Sequence, residues 1–334
     1  MAKDMHEQVP TVLQGVDGPI RLEGMQLVES LACSRCRYDL RGAAANGTCA
    51  ECGFPIPYSI GQMIDPVAHR NLALANPSAV GRGLVVVVTS LLVMHLVGML
   101  GRLLVIFSVA TTGNAAPKEI FILGIYGWVV LFTGVLGIAS SWWIRPASKK
   151  ARPEAWRGVW RMAIGSIMLV FLGAWMLWAM WAILLLDSLT SVLEVVGIQS
   201  RFVGVGIHLA PLLSVVAGGI VLWGLCGVLL QVGLQSRAFR VGGAGRQRIP
   251  SLLIALAIML LSWVVYLWFP VHMLMSAESR GALDGMELIP LVLAAITDLF
   301  VAVGLFYLMT NMFWVRHALI KPPPRLSTLL KPAA

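Results

Sequence analysis

Four of the five cysteines of this chain lie within twenty positions, from Cys33 to Cys52. They form two Cys-x2-Cys pairs, Cys33 with Cys36 and Cys49 with Cys52, separated by twelve residues. This spacing is typical of a tetrahedral metal site, because each pair forms a tight turn that points two thiolates at one ion. Four sulfur ligands leave no position on Zn²⁺ for water or substrate. The spacing therefore predicts a structural zinc site.

Two other uses of the four thiols stay open at this point. Four thiolates also suit an iron centre, and paired cysteines can form disulfides or redox pairs. Zinc is favoured because the segment is predicted to lie in the cytosol, where thiols are kept reduced. The segment is too short to bury a core of its own, so metal binding is expected to supply its folding free energy.

The sequence around the cysteines, CSRCRYDLRG and then CAECG, resembles the zinc ribbon of multi-pass membrane proteins of planctomycete bacteria. Their pattern is roughly Cys-x2-Cys-Gly-Tyr-Asp-Leu-Arg-Gly, followed by Cys-Pro-x-Cys-Gly. In this chain Arg37 stands where glycine is usual and Ala50 where proline is usual, and neither change removes a ligand. The resemblance is confined to the cysteine region. It implies a multi-pass membrane protein and carries over no catalytic residue.

The composition also indicates a bilayer protein. Hydrophobic residues make up 58% of the chain and charged residues 12%, whereas a soluble domain is about half apolar and a quarter charged. Six apolar segments each exceed the ~20 residues that cross a bilayer as a helix. They are residues 84–110, 120–144, 160–186, 203–234, 251–276 and 288–315. We therefore predict an all-α membrane protein, a six-helix bundle with a small N-terminal zinc ribbon.

These segments predict five regions along the chain. A polar segment covers residues 1–29 and the zinc ribbon covers residues 30–57. A linker, residues 58–83, leads to the membrane domain at residues 84–315. The last region, residues 316–334, is a proline-rich cytoplasmic tail that is expected to be extended or disordered.

The basic residues of the loops predict the orientation in the membrane. The loops after the second and fourth segments, together with the tail after the sixth segment, carry fourteen lysines and arginines. The other three loops carry three. Positively charged loops stay in the cytoplasm. Both termini are therefore predicted to be cytoplasmic, and the resemblance to the planctomycete proteins implies the inner membrane of a bacterium. This placement attributes the net charge of +9 to topology and phospholipid contact, and no nucleic-acid partner is expected.

Two ionisable residues of the predicted helices are expected deep in the membrane. His95 lies ~16 Å along the first helix from its cytoplasmic end, and Asp298 lies ~15 Å along the last helix from its outer end. Because an unpaired charge at this depth is costly, the two side chains are predicted to meet in the bundle. A structural hydrogen bond and a proton or ion relay are both open uses of such a pair. Arg102 is expected to reach the outer interface by snorkelling.

The leading functional interpretation is a membrane protein whose zinc ribbon is a platform for a cytoplasmic protein. Its contact surface would comprise Tyr38, Leu40, Arg41 and Phe54. The alternative is a small-solute or proton-coupled carrier that uses His95 and Asp298. The sequence shows no nucleophile and base in a catalytic arrangement, so an enzyme is the less favoured class.

Overall fold

The computed structural model describes residues 12–15, 18–65, 74, 76–112, 116–144, 153–189, 199–241, 249–275 and 288–333. Much of the predicted N-terminal polar segment and of the predicted linker lies outside these residues. The described residues form two units. One is a small domain around the cysteines, and the other is a bundle of long helices.

The small domain contains residues from both ends of the chain. Its strands are β1 (Val12–Gly15), β2 (Gly18–Arg21) and β3 (Met25–Leu27), and its main helix is α1 (Ile56–Met63). β1 and β2 pair in an antiparallel hairpin. The chain end adds the short helix α9 (Leu326–Leu329) and the strand β4 (Leu330–Pro332), which pairs antiparallel with β3. Residues 12–65 and 326–333 are called the four-cysteine domain below.

One apolar core joins the two ends of the chain within this domain. Leu27, Leu40 and Ile60 from the amino-terminal part are buried in the same cluster as Leu326 and Leu329. Two backbone hydrogen bonds extend the β3–β4 pairing, from Val28 N–H to the Leu329 carbonyl and from Ala333 N–H to the Gly24 carbonyl. The end of the predicted tail is therefore ordered, because its leucines complete a core that the amino-terminal residues leave open.

Six long helices form the bundle in the described part of the chain. They are α2 (Pro77–Thr112), α3 (Ala116–Trp143), α4 (Pro153–Leu189), α5 (Gln199–Val232), α7 (Ile249–Met275) and α8 (Leu288–Ile320). The short helix α6 (Arg237–Val241) follows α5. α2 contacts α3, and the contacts continue from α3 to α4, α5, α7 and α8 in turn, while α8 packs back against α2. The first and last long helices are therefore neighbours, and the helices close into a ring.

Five of these helices contain a stretch that is long and apolar enough to cross a membrane. The stretches are Pro77–Leu104, Gly124–Trp143, Pro153–Ala182, Leu212–Gln235 and Ala295–Ile320. Helix α7 contributes a shorter apolar stretch, Ile249–Val265. Large apolar side chains cover the outside of the bundle, and Phe171 and Trp178 on α4 are 71% and 62% exposed. Such a surface is stable only against lipid or another apolar partner, so the structure supports a membrane protein with five helices that are long enough to cross the bilayer.

The helix bounds differ from the predicted regions at both edges of the membrane domain. Helix α2 begins at Pro77, within the predicted linker. Its start is fixed by the Asn76 side chain, which accepts hydrogen bonds from the Ala79 N–H at 3.1 Å and the Ser78 hydroxyl at 3.0 Å. This is the usual cap of a helix N-terminus, and proline suits the first helical position. Helix α1 also begins before the linker and continues into it, and α8 runs to Ile320.

Close helix contacts depend on glycine. A Cβ atom at Gly158 of α4 would lie 2.5 Å from the Gly224 carbonyl oxygen of α5, and one at Gly224 would lie equally close to the Gly158 carbonyl oxygen. A Cβ atom at Gly134 of α3 would lie 2.6 Å from the Val170 amide of α4. Real side chains do not tolerate these distances. Small residues at these positions therefore let neighbouring helices of the bundle approach closely.

Candidate metal centre and intramembrane polar cluster

The two Cys-x2-Cys pairs lie in matching backbone turns. In the first turn, the Arg37 amide donates to the Cys33 carbonyl at 2.9 Å, and the Cys33 amide donates to the Tyr38 carbonyl at 2.8 Å. In the second turn, the Gly53 amide donates to the Cys49 carbonyl at 2.9 Å, and the Cys49 amide donates to the Phe54 carbonyl at 2.8 Å. Each turn is therefore held by its own backbone, and it directs its two sulfur atoms to the same side.

Both turns require a left-handed backbone at the residue after the second cysteine. The φ angle is 64° at Arg37 and 66° at Gly53. Glycine adopts this conformation freely, whereas another L-residue is disfavoured by roughly 1–2 kcal/mol. Arg37 is thus a strained position in the first turn, and the second turn has glycine, the residue that suits the geometry.

This difference between the two turns gives a test. Changing Gly53 to alanine is expected to weaken metal binding by about 5–30-fold, the equivalent of roughly 1–2 kcal/mol, because the metal-bound state requires the disfavoured backbone. No atom lies within 4 Å of the added Cβ, so the loss is conformational and not steric. Changing Arg37 to glycine is the matched control and should leave affinity equal or higher. The measurement is competition with a chelator. Equal losses in both variants would contradict the assignment of the strain.

The four sulfur atoms lie at the spacing of a tetrahedral site. All four lie within 4.8 Å of one another. The Sγ atoms of Cys33 and Cys52 are 3.7 Å apart, as are those of Cys36 and Cys49. A regular tetrahedron with metal–sulfur bonds of ~2.3 Å has edges of about 3.8 Å. The side chains thus fit a metal ion with four thiolate ligands, and zinc is a plausible occupant.

The electrostatics of the cluster also call for a cation. The Cys36 backbone amide is the main cause that lowers the pKa of the Cys33 thiol to about 6. The Tyr38 backbone amide also lowers the pKa of Cys36, but desolvation and the other three thiols outweigh it and raise that pKa to about 12. Four thiolates this close repel one another. All four sulfur atoms can be deprotonated together only when a positive ion compensates their charge.

The surrounding residues fix the position of the sulfurs. Cys33 and Cys49 are buried in the core of the four-cysteine domain, whereas Cys36 is exposed. Ser34, between the first two cysteines, donates its amide to the Ser59 hydroxyl at 3.1 Å. Ser59 lies on α1 and is buried. Helix α1 therefore supports the first turn directly, although the sequence pattern assigned it mostly to a linker.

The structure brings His95 and Asp298 together inside the bundle. The His95 Nε2 atom lies 2.9 Å from the backbone carbonyl oxygen of Asp298 and 3.8 Å from its Oδ1. Because a carbonyl oxygen can only accept, His95 Nε2 carries the proton and donates it. The contact between the two residues thus involves mainly the backbone of Asp298, and the carboxylate has a different partner.

That partner is Arg102, whose predicted location at the outer interface is wrong. Its Nε atom donates to Asp298 Oδ2 at 3.1 Å, and its Nη2 atom donates to Oδ1 at 2.7 Å. The Arg102 side chain is 19% exposed and that of Asp298 is 3% exposed. A two-bond pair between guanidinium and carboxylate cancels the charge of both groups where water is scarce, so the arginine turns inward instead of snorkelling.

The sequence contained a signal for this arginine. Arg102 lies seven residues after His95, which is two helical turns, so both side chains lie on the same face of α2. A cation is a better partner for a buried carboxylate than a neutral imidazole is. Arg102 is the nearest cationic residue along that face. The depth of Arg102 along α2 predicts the outer interface. The helix face that Arg102 shares with His95 indicates instead that its side chain points into the bundle.

Other polar groups surround the pair. The Arg102 guanidinium lies 5.1 Å from the ring centre of Trp263 on α7, within cation–π distance. The hydroxyls of Tyr126 on α3 and Ser214 on α5 are 2.7 Å apart. Residues of α2, α3, α5 and α8 therefore meet in one intramembrane polar cluster, with α7 adding the aromatic face.

A small cavity lies beside this cluster. His95, Arg102 and Tyr126 contribute its polar lining, and apolar residues of α2, α5, α7 and α8 contribute the rest. The space open to the centre of a water molecule is ≈ 20 Å³. One buried water needs about 10–15 Å³. The cavity therefore has room for a water molecule and is too small for a dissolved metabolite.

Comparisons with protein-family models, with curated proteins and with solved structures gave no match to this chain. The resemblance to the planctomycete zinc ribbons therefore stays a prediction from the residues around the cysteines. The geometry supports a coarser statement. The described part of the chain combines membrane-crossing helices with a four-cysteine cluster that could bind a metal ion.

Proposed function

We propose that this chain is a six-crossing protein of the bacterial inner membrane. Its two ends form one cytoplasmic zinc domain, which acts as a platform for a protein partner. The observation that carries the proposal is the pairing of β3 with β4, beside four sulfurs at tetrahedral spacing. A domain made from both chain ends is held at one end of the bundle, close to the membrane surface.

This pairing supports an even number of crossings. Strand β3 comes before all six long helices in the sequence and strand β4 comes after them, yet the two strands pair in one sheet. A chain that leaves a domain on one side of a membrane and returns to it crosses an even number of times. Five helices meet the length for crossing, so α7 is assigned as the sixth.

The cytoplasmic side follows from charge. Arg237 and Arg240, in the loop region after α5, contact the end of α1, so this loop lies on the side of the four-cysteine domain. The same loop carries two more arginines and no acid between residues 235 and 249. Positive loops stay in the cytoplasm, where thiols are reduced and bind metal in preference to forming disulfides.

Zinc is the proposed ion because its site needs four ligands and no open position, and all four sulfurs belong to the chain. The test is metal analysis of the full chain purified in mild detergent. One equivalent of zinc per chain is expected, with the other metals near background. Iron in place of zinc, or four cysteines recovered as two disulfides, would contradict this assignment.

The proposed contact surface is smaller than the predicted one. Tyr38 is 46% exposed and Leu40 is 1% exposed, so the predicted contact role of Leu40 is wrong: this side chain fills the domain core. Arg41 is exposed and Phe54 is half-buried. Tyr38 and Arg41 are thus the residues through which a cytoplasmic protein would be recognised, an aromatic residue and an arginine being frequent anchors of interfaces.

Changing Tyr38 to alanine is therefore expected to remove a bound partner without releasing the metal, because its side chain is exposed and its hydrogen bond with Cys33 is made by the backbone. Losses at such anchors are typically ~2 kcal/mol or more, a factor of about thirty in affinity. The measurement is affinity purification of the full chain in mild detergent, followed by metal analysis. Glu51→Ala, at another exposed position of the domain, is the control. An identical set of co-purified proteins for Tyr38→Ala and the native chain would count against the platform.

The contacts around His95 and Asp298 favour a structural role over the alternative carrier. A relay needs a carboxylate that is free to exchange partners, but both oxygens of the Asp298 carboxylate accept hydrogen bonds from Arg102. The neighbouring cavity has room for water and not for a solute. The pair is therefore proposed to hold α2 and α8 together.

A further inference from the structure

A series of contacts connects the candidate metal centre to the membrane bundle. It begins at Ser34, which lies between the first two cysteines and hydrogen-bonds to Ser59 through both its amide and its hydroxyl, each at 3.1 Å. Ser59 belongs to α1. The position of α1 is thus tied to the first metal-binding turn by polar contacts, in addition to the burial of Ile56 and Ile60 in the same core as Cys33 and Cys49.

The far end of α1 contacts the bundle. Arg237 donates to the Gln62 carbonyl at 2.6 Å. Arg240 forms an ion pair with the carboxylate of Asp65 and also donates to the Leu234 carbonyl. The Arg240 and Asp65 side chains are 16% and 6% exposed, so the pair is largely shielded from solvent. These contacts are called the α1–α6 contact below.

A second connection runs through the chain end. Helix α8 ends at Ile320, and the chain reaches the four-cysteine domain again at Leu326. Leu326, Leu329 and Leu330 are buried in the core that contains Cys33 and Cys49. The last membrane helix is therefore joined to the metal-binding domain by a short segment that contains three successive prolines.

We propose that the four-cysteine domain senses zinc for the membrane bundle, so that zinc occupancy determines whether the α1–α6 contact and the β3–β4 pairing are formed. The inference rests on the proposed function in that the ion is zinc. The strands of the domain are three or four residues long, and we expect so small a domain to depend on its bound metal for much of its folding free energy. Loss of zinc would free α1 from Arg237 and Arg240, and it would free the segment after α8.

Thermodynamic linkage makes the proposal testable from the opposite end. If zinc stabilises the α1–α6 contact, that contact must strengthen zinc binding by the same factor. Changing Arg240 to glutamine removes the ion pair with Asp65 and alters none of the metal ligands. Zinc affinity should then fall by about tenfold, within the ~5–150-fold range of such couplings. Asp65→Asn removes the same ion pair from the domain side and should have a similar effect.

The experiment uses the full chain in detergent micelles and measures zinc affinity by competition with a chelator. Arg157→Gln is the matched control, since Arg157 is exposed near the start of α4. Hydrogen exchange of the native chain, with zinc and after chelation, tests whether the α1–α6 contact and the β3–β4 pairing depend on zinc. Removal of zinc should speed exchange in residues 56–65 and 326–333 by at least tenfold, while the interior of α4 stays protected.

The outcomes separate this inference from the proposed function. Unchanged zinc affinity in both Arg240→Gln and Asp65→Asn would overturn the sensor, and so would a chain end that stays protected after chelation. Both of those results leave a structural zinc platform intact. A native chain that binds no zinc at all would overturn the proposed function together with the sensor.

Discussion

Replacing Cys49 by serine is expected to remove the metal from the chain and to unfold the four-cysteine domain while the bundle stays folded. Cys49 is buried in the domain core, and serine is a poor substitute because the thiolate is the metal ligand. Structural zinc supplies about 10–16 kcal/mol of apparent binding free energy in zinc-finger peptides. A loss of even part of that exceeds the net stability of so small a domain.

The measurements are metal content and hydrogen exchange in the same purified sample. Metal should fall from one equivalent to background. The amides of Val28 and Ala333, which hydrogen-bond to Leu329 and Gly24, should lose their protection. Cys226→Ser is the control, because this cysteine lies on α5 apart from the cluster, and it should change neither reading. A Cys49→Ser chain that keeps one equivalent of metal would contradict the assignment of the site.

The cysteine cluster could be predicted because its constraint is local. A Cys-x2-Cys pair can form only a few turns, and two such pairs at short range converge on one ion. The structure places the four sulfurs within 4.8 Å, as the spacing requires. The identity of the ion is not part of that constraint, because iron takes the same ligands.

The role of the chain end could not be predicted, because it depends on contacts between residues about 300 positions apart. Strands β3 and β4 are three residues each, too short for an alternating pattern to be visible. The three successive prolines favour an extended or disordered tail, whereas the burial of Leu326, Leu329 and Leu330 orders the segment. Leu40 was misplaced for a related reason, since its burial depends on packing from both ends of the chain.

The bundle could be predicted in outline because hydrophobic length is a strong signal. Five helices have the expected length and polarity. For α7 the described apolar stretch is shorter, and the proposal that this helix crosses the membrane rests on the pairing of the two chain ends. The amino-terminal and carboxy-terminal parts of the chain contact each other in two places. One is the β3–β4 pairing, and the other is the contact between α2 and α8 in the bundle. Arg102 and Asp298 lie at that second junction.

Changing Asp298 to asparagine is expected to destabilise the bundle by about 3–5 kcal/mol, the cost of leaving one partner of a buried ion pair uncompensated. The Arg102 guanidinium would lose its compensating charge and one of its two acceptors, since an asparagine side chain has a single acceptor oxygen. The double change Arg102→Met with Asp298→Leu removes both charges and keeps apolar volume at the α2–α8 contact. Replacing a buried pair in this way is often neutral or stabilising by about 1–4 kcal/mol.

The free energy of unfolding is measured by denaturing-detergent titration of the native chain, of Asp298→Asn, of the single variants Arg102→Met and Asp298→Leu, and of the double variant that combines these last two. A structural pair predicts a large loss in each single variant, with recovery in the double variant, because the two positions are coupled through one contact. His95 keeps its bond to the Asp298 backbone in every case, so it does not confound the cycle. Losses that simply add, or an Asp298→Asn chain that unfolds at the native midpoint, would show that the pair does not hold α2 and α8 together. The carboxylate would then again be a candidate for proton transfer.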